Sequence, residues 1–544
     1  MNQRAITLAA MAITASATTS LYAKSIDPAR PNILLITCED INPYLGCYGD
    51  SVAKSPNLDR FAEEGVRFSQ MHTTVGVSAP SRFALISGMY PSAMGANYMR
   101  TFVKKLEQYP VGLKPYYVIL PDEVKGYTEY LREAGYYCTN AGKTDYQFNV
   151  PLSLWDENGG KAHWRNSPDG MPFFAMFNIM ITHESNVWNQ GEKPLLVDPA
   201  DVEVPPYYPD NDVVRHDIAV MYSNVARMDS QFQAMVDQLK EEGVYDNTII
   251  IWISDNGGPL PRQKRAIYES GTHVPAIIRF PDGYKAGTVD DRLAMFVDVP
   301  ATILSLAGVK PPKYMHGEAL YGKYAAKNER KYIYAARDRM DEQYDKQGAV
   351  SDGRFRYVRN YDLDHSNYTP VGYRFNMPLM LNILELKEAG KLNEAQSLWF
   401  SEDRGAEEFY DDLEDPHSVN NLIDDPRYSE KIAELRKEFD RWVDKYNSRW
   451  LLSEVESREL MLPNNGDQPT LNAPTIAEKK GRVVLSSDNK GASIVYRING
   501  KSHTEEGWYL YSQPIEGIKS GDIITAVAAR AGYAESKVAK YVCE

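Results

Sequence analysis

Cysteine is scarce in this chain of 544 residues, which contains four, and no two of them are spaced as Cys-x-x-Cys. Without that spacing, zinc-ribbon and thioredoxin-like proteins have little support as classes. Cys38 and Cys47 can pair in an oxidising compartment, but Cys38 follows an apolar run that favours burial. We therefore expect free, buried thiols at these two positions and at Cys138 and Cys543.

Positive charge is also in short supply. Lys and Arg total 60 against 74 Asp and Glu, which gives a formal net charge of −14. Most of the surface of such a protein repels nucleic acid and anionic membranes, so we expect neither as a partner. An anionic substrate would need a local basic pocket.

Apolar runs long enough to span a bilayer are absent too. Residues 1–23 have a positive charge at Arg4, an apolar, small-residue run from Ala5 to Ala17, and small and polar residues near Ala23. This pattern is typical of a secretory signal peptide. A membrane anchor is the alternative, but the run is shorter than the roughly 20 residues of a spanning helix. We expect cleavage after Ala23 and a secreted or periplasmic protein.

The length exceeds what one hydrophobic core usually organises, and a composition of 43% hydrophobic and 25% charged residues is that of a folded protein. We predict a catalytic domain at residues 24–368 and a smaller α+β subdomain at 369–462. The segment 463–475 is rich in Pro and Asn and predicts a linker. Short β-prone segments separated by turn residues then predict a β-sandwich module at 476–544.

The catalytic domain has the pattern of an α/β fold. Continuous apolar runs at Pro31–Thr37 and Asn247–Ser254 suit strands that are buried on both faces of a sheet. Helical patterns at Ser55–Glu64 and Ala219–Glu242 lie between them. Alternation of this kind predicts a mostly parallel central sheet flanked by helices.

Both buried strands end in polar, mostly acidic residues: Glu39 and Asp40 after the first, Asp255 and Asn256 after the second. Ligands gather at the carboxyl ends of parallel strands, so we expect these four side chains to converge. They offer only oxygen ligands, which suit Ca²⁺ or Mg²⁺ and not zinc. The alternative is a set of solvated carboxylates at strand ends.

Residues 78–88 read S-A-P-S-R-F-A-L-I-S-G. Pro80 favours a helix that starts close to Ser78, where anions are stabilised. Arg82 lies about one helical turn later, so its guanidinium can reach the same point. A hydroxyl beside a cation suits anion chemistry, although an ordinary Ser N-cap with a surface Arg would look the same.

These eleven residues resemble the sulfatase signature, in which Cys or Ser is followed by any residue, Pro, any residue, Arg, four residues, Ser or Thr, and Gly. Other segments resemble the family in the expected order, at residues 31–40, 55–68, 254–257, 268–275 and 408–416. The resemblance implies an alkaline-phosphatase-like fold and a formylglycine-dependent sulfatase of the serine type. In that family a maturation enzyme oxidises the residue at the position of Ser78 to formylglycine, whose hydrate supplies the attacking hydroxyl.

The resemblance also implies roles for charged residues. Lys143, in G-K-T-D-Y, matches a Lys that binds the sulfate, and Lys264 resembles the second such Lys, with Arg265 as the alternative if the register slips by one. His183 follows a buried-strand pattern at 172–180 and matches the His that protonates the leaving-group oxygen. Glu39 stands where the family usually has Asp, so it is either a ligand or an outer contact.

Two further features involve the substrate. Asp145 stands where the family has His, and an Asp beside a sulfate is repelled unless it is protonated or paired with Lys or Arg, so we assign it to a substrate hydroxyl. The run Arg337-Asp338-Arg339 is either a solvated surface run or a set of groups that grip a sugar. His72 and His316 could line the pocket but have no motif support, and His273, near the loop of Lys264, is assigned a structural role.

The function implied is removal of sulfate from sulfated carbohydrates, glycan or glycosaminoglycan, by an exo-acting O-sulfatase or N-sulfatase. The segment at 39–50 and the K-T-D-Y motif resemble, more loosely, heparan N-sulfatases. One alternative is a phosphoester or phosphonate hydrolase of the same superfamily, because the same charge clamp suits either anion. Another is a non-catalytic protein that binds sulfated glycans.

Overall fold

The computed structural model of this protein describes residues 30–102 and 113–544. The predicted signal peptide at residues 1–23 lies outside the described residues. Within the described ranges, no helix combines the length and the apolar character that crossing a bilayer requires.

Strands and helices alternate in the first part of the chain, and antiparallel strands dominate the last part. The first strands are β1 (Asn32–Cys38), β2 (Val66–Phe68), β3 (Met71–His72), β4 (Tyr137–Ala141), β5 (Glu157–Asn158), β6 (Phe173–Ile179), β7 (Thr248–Ser254), β8 (Ala276–Arg279), β9 (Thr288–Asp290) and β10 (Ala294–Met295). The later strands are β11 (Ile333–Arg337), β12 (Gln347–Ser351), β13 (Phe355–Asn360), β14 (Glu407–Asp411), β15 (Thr475–Lys479), β16 (Arg482–Ser486), β17 (Ser493–Ile498), β18 (Tyr509–Leu510), β19 (Ile523–Ala529) and β20 (Ala539–Val542).

The α-helices cover both faces of the first sheet and one side of the second. They are α1 (Pro56–Glu64), α2 (Ser78–Ser87), α3 (Pro91–Met94), α4 (Tyr127–Glu133), α5 (Ser185–Asn189), α6 (Asp212–Glu241), α7 (Glu269–Thr272), α8 (Asp298–Leu306), α9 (Pro378–Glu388), α10 (Glu394–Ser397), α11 (Ser429–Tyr446) and α12 (Glu454–Met461).

The central sheet has the strand order β5-β4-β6-β1-β7-β8-β2-β9, and its strands are parallel except for β8, which is antiparallel to both neighbours. Side chains of β1 alternate between two cores: Ile33 and Leu35 pack with α2, α4 and α8, and Leu34 and Ile36 pack with α1 and α6. Burial on both faces explains the uninterrupted apolar run of this strand. The predicted α/β class, with its mostly parallel sheet, is confirmed.

This topology brings the carboxyl ends of three strands, β1, β7 and β6, to one edge of the sheet. β1 and β7 are adjacent and parallel, with Cys38 paired to Ser254, so the residues that follow the two strands leave the sheet at one point. β6 lies on the other side of β1 and ends at the same edge. The acidic strand ends therefore meet, as their sequence positions predicted.

A second sheet contains the antiparallel strands β11-β12-β13-β14, and α11 packs on it through Leu435, Phe439 and Trp442. Its strands come from both sides of residue 369, where a domain boundary was predicted, because β13 pairs with β14. The sheet therefore crosses the predicted boundary. That boundary followed a local loss of periodicity, which does not reveal strand pairing across a long connection.

The carboxyl-terminal module consists of antiparallel sheets, β15-β16 and β18-β17-β19-β20, around a shared core that includes Val483, Leu485, Ile494 and Ile524. The module contacts the first domain through buried polar groups. Arg132 of α4 donates to Trp508 O in the module at 2.6 Å, and to Asp156 Oδ1 at 2.9 Å. The four cysteines are free thiols.

Replacing Arg132 tests this connection. The side chains of Arg132 and Asp156 are 2% and 5% exposed, so Arg132→Met leaves a buried carboxylate without its cation. We expect a loss of about 3–5 kcal/mol in the free energy of unfolding, measured by urea denaturation. The matched control, Arg165→Met, breaks an ion pair with Glu242 in which the arginine is half exposed, and we expect a loss of about 0–1 kcal/mol. Equal losses in the two variants would contradict the assigned role of Arg132.

Candidate active site

Ser78 is the first residue of α2 and is 1% exposed. Its Oγ donates to Asn256 Oδ1 at 3.1 Å and lies 3.5 Å from Glu39 Oε2. Because the first backbone N–H groups of a helix have no partner within it, this position stabilises a developing negative charge. The predicted start of the helix and the predicted place of Ser78 agree with the structure.

The predicted oxygen ligands surround Ser78. Glu39, Asp40 and Asp255 are fully buried, and one carboxylate oxygen from each lies within 4.8 Å of the others. Asn256 turns its amide nitrogen to Asp40 Oδ1, at 3.0 Å, and its amide oxygen to Ser78. Glu39 reaches into this group with its longer side chain.

Three cations contact these carboxylates. Arg82 binds Glu39 Oε1 at 2.5 Å through Nη2 and Asp255 Oδ2 at 2.8 Å through Nε. Lys143 Nζ lies 2.6 Å from Glu39 Oε2, and Lys264 Nζ lies 2.5 Å from Asp40 Oδ2. Every carboxylate in the group therefore has a positively charged partner.

Burial and mutual repulsion still act on these carboxylates, although three cations match their charge. Burial alone would raise the pKa of Glu39, but Lys143 and Arg82 hold it well below its ordinary value. Burial, and then Glu39, raises the pKa of Asp255 to about 7 despite Arg82 and Lys143. Another positive charge would relieve this strain, and oxygen-only donors fit a hard divalent cation. The residues present thus fit Ca²⁺ or Mg²⁺.

Lys264 and its neighbour Arg265 both reach the site. Arg265 forms a bidentate contact with Glu184, at 2.8 and 2.9 Å, and a further contact with Asp341 at 2.7 Å. Lys264 also lies 3.3 Å from Glu184. Both cations therefore share Glu184, and Lys264 is the one of the two that also contacts the carboxylate group beside Ser78, through Asp40.

Asp145, at the family's His position, is paired with two cations. Its Oδ2 lies 3.7 Å from Lys143 Nζ and 3.4 Å from Arg100 Nη2. Burial raises the pKa of Asp145, but Lys143 and then Arg100 lower it by more. The net effect is a pKa below the ordinary value. The pairing that an Asp near a sulfate requires is present.

His183 lies at the end of β6, beside the carboxylate group. Its Nδ1 accepts the backbone N–H of Ser185 at 3.2 Å, which leaves the proton of a neutral ring on Nε2. Burial, followed by Lys264, lowers the pKa of His183 to about 4. A cavity of about 380 Å³ opens beside it, lined by residues that include Arg100, Arg339 and Tyr373.

The run Arg337-Asp338-Arg339 is buried, with exposures of 5% or less, so it is not a solvated surface run. Arg339 lines the cavity beside His183 and pairs with Glu454. Arg337 and Asp338 do not line that cavity: Arg337 lies 3.5 Å from Asp345, and Asp338 lies 3.5 Å from Lys346.

Sequence reasoning missed several residues of the site. Glu184 follows His183 directly, and that position beside a strand end was the available signal. Asn178 accepts from Arg82 Nη1 at 2.6 Å and donates to Asn140, which in turn contacts the backbone oxygen of Lys143. Arg100 and Tyr373 carry no motif.

Backbone strain is concentrated around the same point. Asp40, Arg100, Asp145, Arg265 and Asp341 have positive φ values between 44° and 73°, a region that side chains other than glycine seldom adopt. Strained residues of this kind persist where surrounding contacts over-determine them, and they cluster at functional sites. Their shared location marks the cavity and the carboxylate group as one site.

Comparisons with known proteins agree with this geometry. Residues 31–309 match the sulfatase family model, and residues 262–367 match the N-sulphoglucosamine sulphohydrolase carboxyl-terminal model. An ulvan-active sulfatase from Formosa agariphila is 40% identical over 94% of this chain and 91% of its own length. The chain belongs to the sulfatase family.

More distant relatives extend the comparison. Human N-sulphoglucosamine sulphohydrolase is 24% identical over 78% of this sulfatase and 92% of its own length. The solved structure of a 2-O glycosaminoglycan sulfatase superposes with a TM-score of 0.58 at 20% identity, covering 78% of this chain and 94% of that one. The protein is a sulfuric ester hydrolase with an alkaline-phosphatase-like fold.

Substituting the cations separates catalysis from folding. Lys143→Ala should lower kcat by about 10²-fold or more, and it should cost less stability than Arg82→Ala, because Glu39 keeps Arg82 as a partner. Arg82→Ala should lower kcat as well, and should also cost about 3–5 kcal/mol of stability, because two buried carboxylates lose their partner. Sulfate release and urea denaturation measure the two effects.

Lys161→Ala, which removes an exposed lysine, is the control and should leave both quantities unchanged. Near-normal kcat in both Lys143→Ala and Arg82→Ala would contradict the role of these cations.

Proposed function

We propose that this sulfatase removes sulfate groups from a sulfated carbohydrate, with Ser78 oxidised to formylglycine as its nucleophile. A divalent cation, Ca²⁺ or Mg²⁺, would be held by Glu39, Asp40, Asp255 and Asn256. The observation that carries the proposal is that three carboxylates converge and that two of the four donors, Glu39 and Asn256, contact the hydroxyl of Ser78 at the start of a helix.

Ser78 needs activation, because its Oγ contacts an amide oxygen and a carboxylate, and neither contact is a histidine base. Oxidation by a formylglycine-generating maturation enzyme would replace the hydroxymethyl group by an aldehyde, which on hydration offers a hydroxyl for attack on sulfur. The cation, when bound, would favour the deprotonated form of that hydroxyl and neutralise charge on the sulfuryl oxygens.

The residues of the chain would bind and polarise the sulfate. Arg82, Lys143 and Lys264 lie around the carboxylate group, where their charges can stabilise the transferring sulfuryl oxygens. His183, in its imidazolium form, would give the proton on Nε2 to the leaving-group oxygen or nitrogen as the bond to sulfur breaks, and the negative charge of a bound sulfate would favour that form. Asp145, already paired with Lys143, would accept a hydrogen bond from a substrate hydroxyl.

A carbohydrate substrate is supported by the cavity and by the relatives. The cavity of about 380 Å³ is small among ligand pockets, which are roughly 300–1,000 Å³, and this size suits a terminal sugar. Tyr373 offers an aromatic face and Arg100 a guanidinium group beside it. One relative is a sulfatase that is active on ulvan, as its name states. We therefore propose exo-action on a sulfated glycan.

Two features of the sequence complete the proposal. Residues 1–23 support export to the periplasm or the medium, where polymeric glycans are accessible. Residues 476–544 would serve as an accessory β-sandwich module beside the catalytic domain, and residues 369–462 as a smaller subdomain that shares the second sheet with that domain through β14.

Removal of the cation should abolish turnover. Protein treated with a chelator and then dialysed is expected to lose sulfate release and to recover it with Ca²⁺ or Mg²⁺, because the donors are all oxygen atoms. Metal content and sulfate release are measured on the same sample. Full activity in protein shown to be metal-free would contradict the proposal.

The nucleophile is tested with three preparations on one sulfated glycan: native Ser78, Ser78→Cys made in a host that oxidises only Cys, and Ser78→Ala. The mass of the peptide that contains residue 78 shows the loss of two hydrogens when Ser is oxidised. We expect sulfate release only from preparations that contain the aldehyde, and unoxidised protein should still bind the glycan. A phosphodiester offered in parallel should be turned over more slowly. Equal turnover by Ser78→Ala would refute the nucleophile.

A further inference from the structure

A second group of ligand-type side chains lies outside the Ser78 site. It contains His72 of β3, Glu269 at the start of α7 and His273 directly after that helix. One ligand atom from each residue lies within 4.8 Å of the other two. The imidazole rings are stacked, with centroids 4.9 Å apart and 18° between their planes. His72 is 1% exposed.

The outer nitrogens of both rings face carbonyl oxygens. His273 Nε2 lies 2.9 Å from Ser69 O, and His72 Nε2 lies 3.3 Å from Gln70 Oε1. A carbonyl oxygen only accepts hydrogen bonds, so each Nε2 carries a proton and donates it. The remaining nitrogen, Nδ1, then keeps its lone pair. Histidines that bind metals show this outer contact, which fixes the tautomer and the ring orientation.

The inner nitrogens face the carboxylate of Glu269. His273 Nδ1 lies 2.9 Å from Glu269 Oε1, and His72 Nδ1 lies 4.0 Å from Glu269 Oε2. His72 Nδ1 is buried and has no hydrogen-bond partner among the described residues. Two nitrogen acceptors and a carboxylate therefore lie close together, and a positive charge between them would satisfy all three once the stacked rings turn their Nδ1 atoms towards it.

We propose that His72, Glu269 and His273 form a second metal site, which binds Zn²⁺ and is separate from the oxygen-only site beside Ser78. Two imidazole nitrogens and one carboxylate oxygen form a ligand set that zinc accepts and that Ca²⁺ and Mg²⁺ seldom use. Glu269 and His273 also border a cavity of about 300 Å³, from which a water molecule can complete four-fold coordination.

Arg356 is the competing cation at this site. Its Nη2 lies 2.5 Å from Glu269 Oε2, and its Nε lies 2.8 Å from Asp412 Oδ2. The guanidinium therefore occupies Oε2, and Asp412 offsets part of its charge. Oε1, the oxygen closer to His273, is the atom that a metal would take. The rival interpretation is a proton on His273, which would make a simple imidazolium–carboxylate pair.

The position of the site suggests what the ion does. Thr73, next to His72, hydrogen-bonds Ser81 of α2 at 2.6 Å, so β3 supports the helix that carries Ser78. Glu269 and His273 end the segment that carries Lys264 and Arg265. Thr73 N also donates to Thr272 O at 2.8 Å. A metal ion at this position would be structural. It would connect β3, which supports the helix that carries Ser78, to the segment that carries Lys264.

The experiment measures zinc binding to the full chain in an excess of Ca²⁺, which fills the oxygen-only site. Wild-type protein should retain zinc after dialysis, and its thermal unfolding midpoint should rise with zinc concentration. His72→Phe, which preserves the ring stack but removes the ligand nitrogen, should lose both effects. His273→Gln, at a half-buried position, provides a second test in case His72→Phe does not fold.

His216→Gln is the matched control, because that histidine is exposed and faces a single carboxylate, Asp217, so it should retain zinc as wild type does. Co²⁺ in place of zinc should give the intense visible absorption of a four-coordinate site in wild type and control only. Equal zinc retention in wild type, His72→Phe and His273→Gln, or no retention by wild type, would overturn the proposal and leave the imidazolium pair.

Discussion

The fully buried negative charge at one edge of the parallel sheet is the constraint on which the rest of this sulfatase depends. Glu39, Asp40 and Asp255 are 0% exposed, and the adjacent parallel strands β1 and β7 bring them together. Isolated carboxylates cannot remain ionised in such surroundings. Their environment must supply positive charge, and the chain supplies it from elements far apart in sequence.

Each compensating cation ties a different element to the sheet edge. Arg82 comes from the first turns of α2, Lys143 from the loop after β4, and Lys264 from the loop after β7. The helix that begins at Ser78 and the two lysines are thus held by the same contacts that neutralise the carboxylates. Each of the loops after β1, β4 and β7 also contains a residue with a positive φ value: Asp40, Asp145 and Arg265.

The sequence was sufficient to predict the parts of the fold and of the site that depend on local pattern. Continuous apolar runs predicted β1 and β7, and the rule for parallel strand ends predicted that Glu39, Asp40, Asp255 and Asn256 converge. The pairing of Arg339 with Glu454 and of β13 with β14 joins segments that are distant along the chain, so no local signal revealed either. The same holds for the stacked pair His72 and His273, because no motif in the sequence predicted that these two residues bind a metal.

The net charge of −14 led us to expect a local basic pocket for an anionic substrate. The charges at the site show that its side chains alone do not form one. Four cations, Arg82, Lys143, Lys264 and Arg265, face four carboxylates, those of Glu39, Asp40, Asp255 and Glu184, so this group has no excess positive charge of its own. A divalent cation would add two positive charges to a balanced set. Attraction for a sulfate would then depend on the metal, and affinity for the metal would rise when sulfate is bound, because coupling between two ligands is reciprocal. A protein that repels anions over most of its surface would bind one only where its metal is in place.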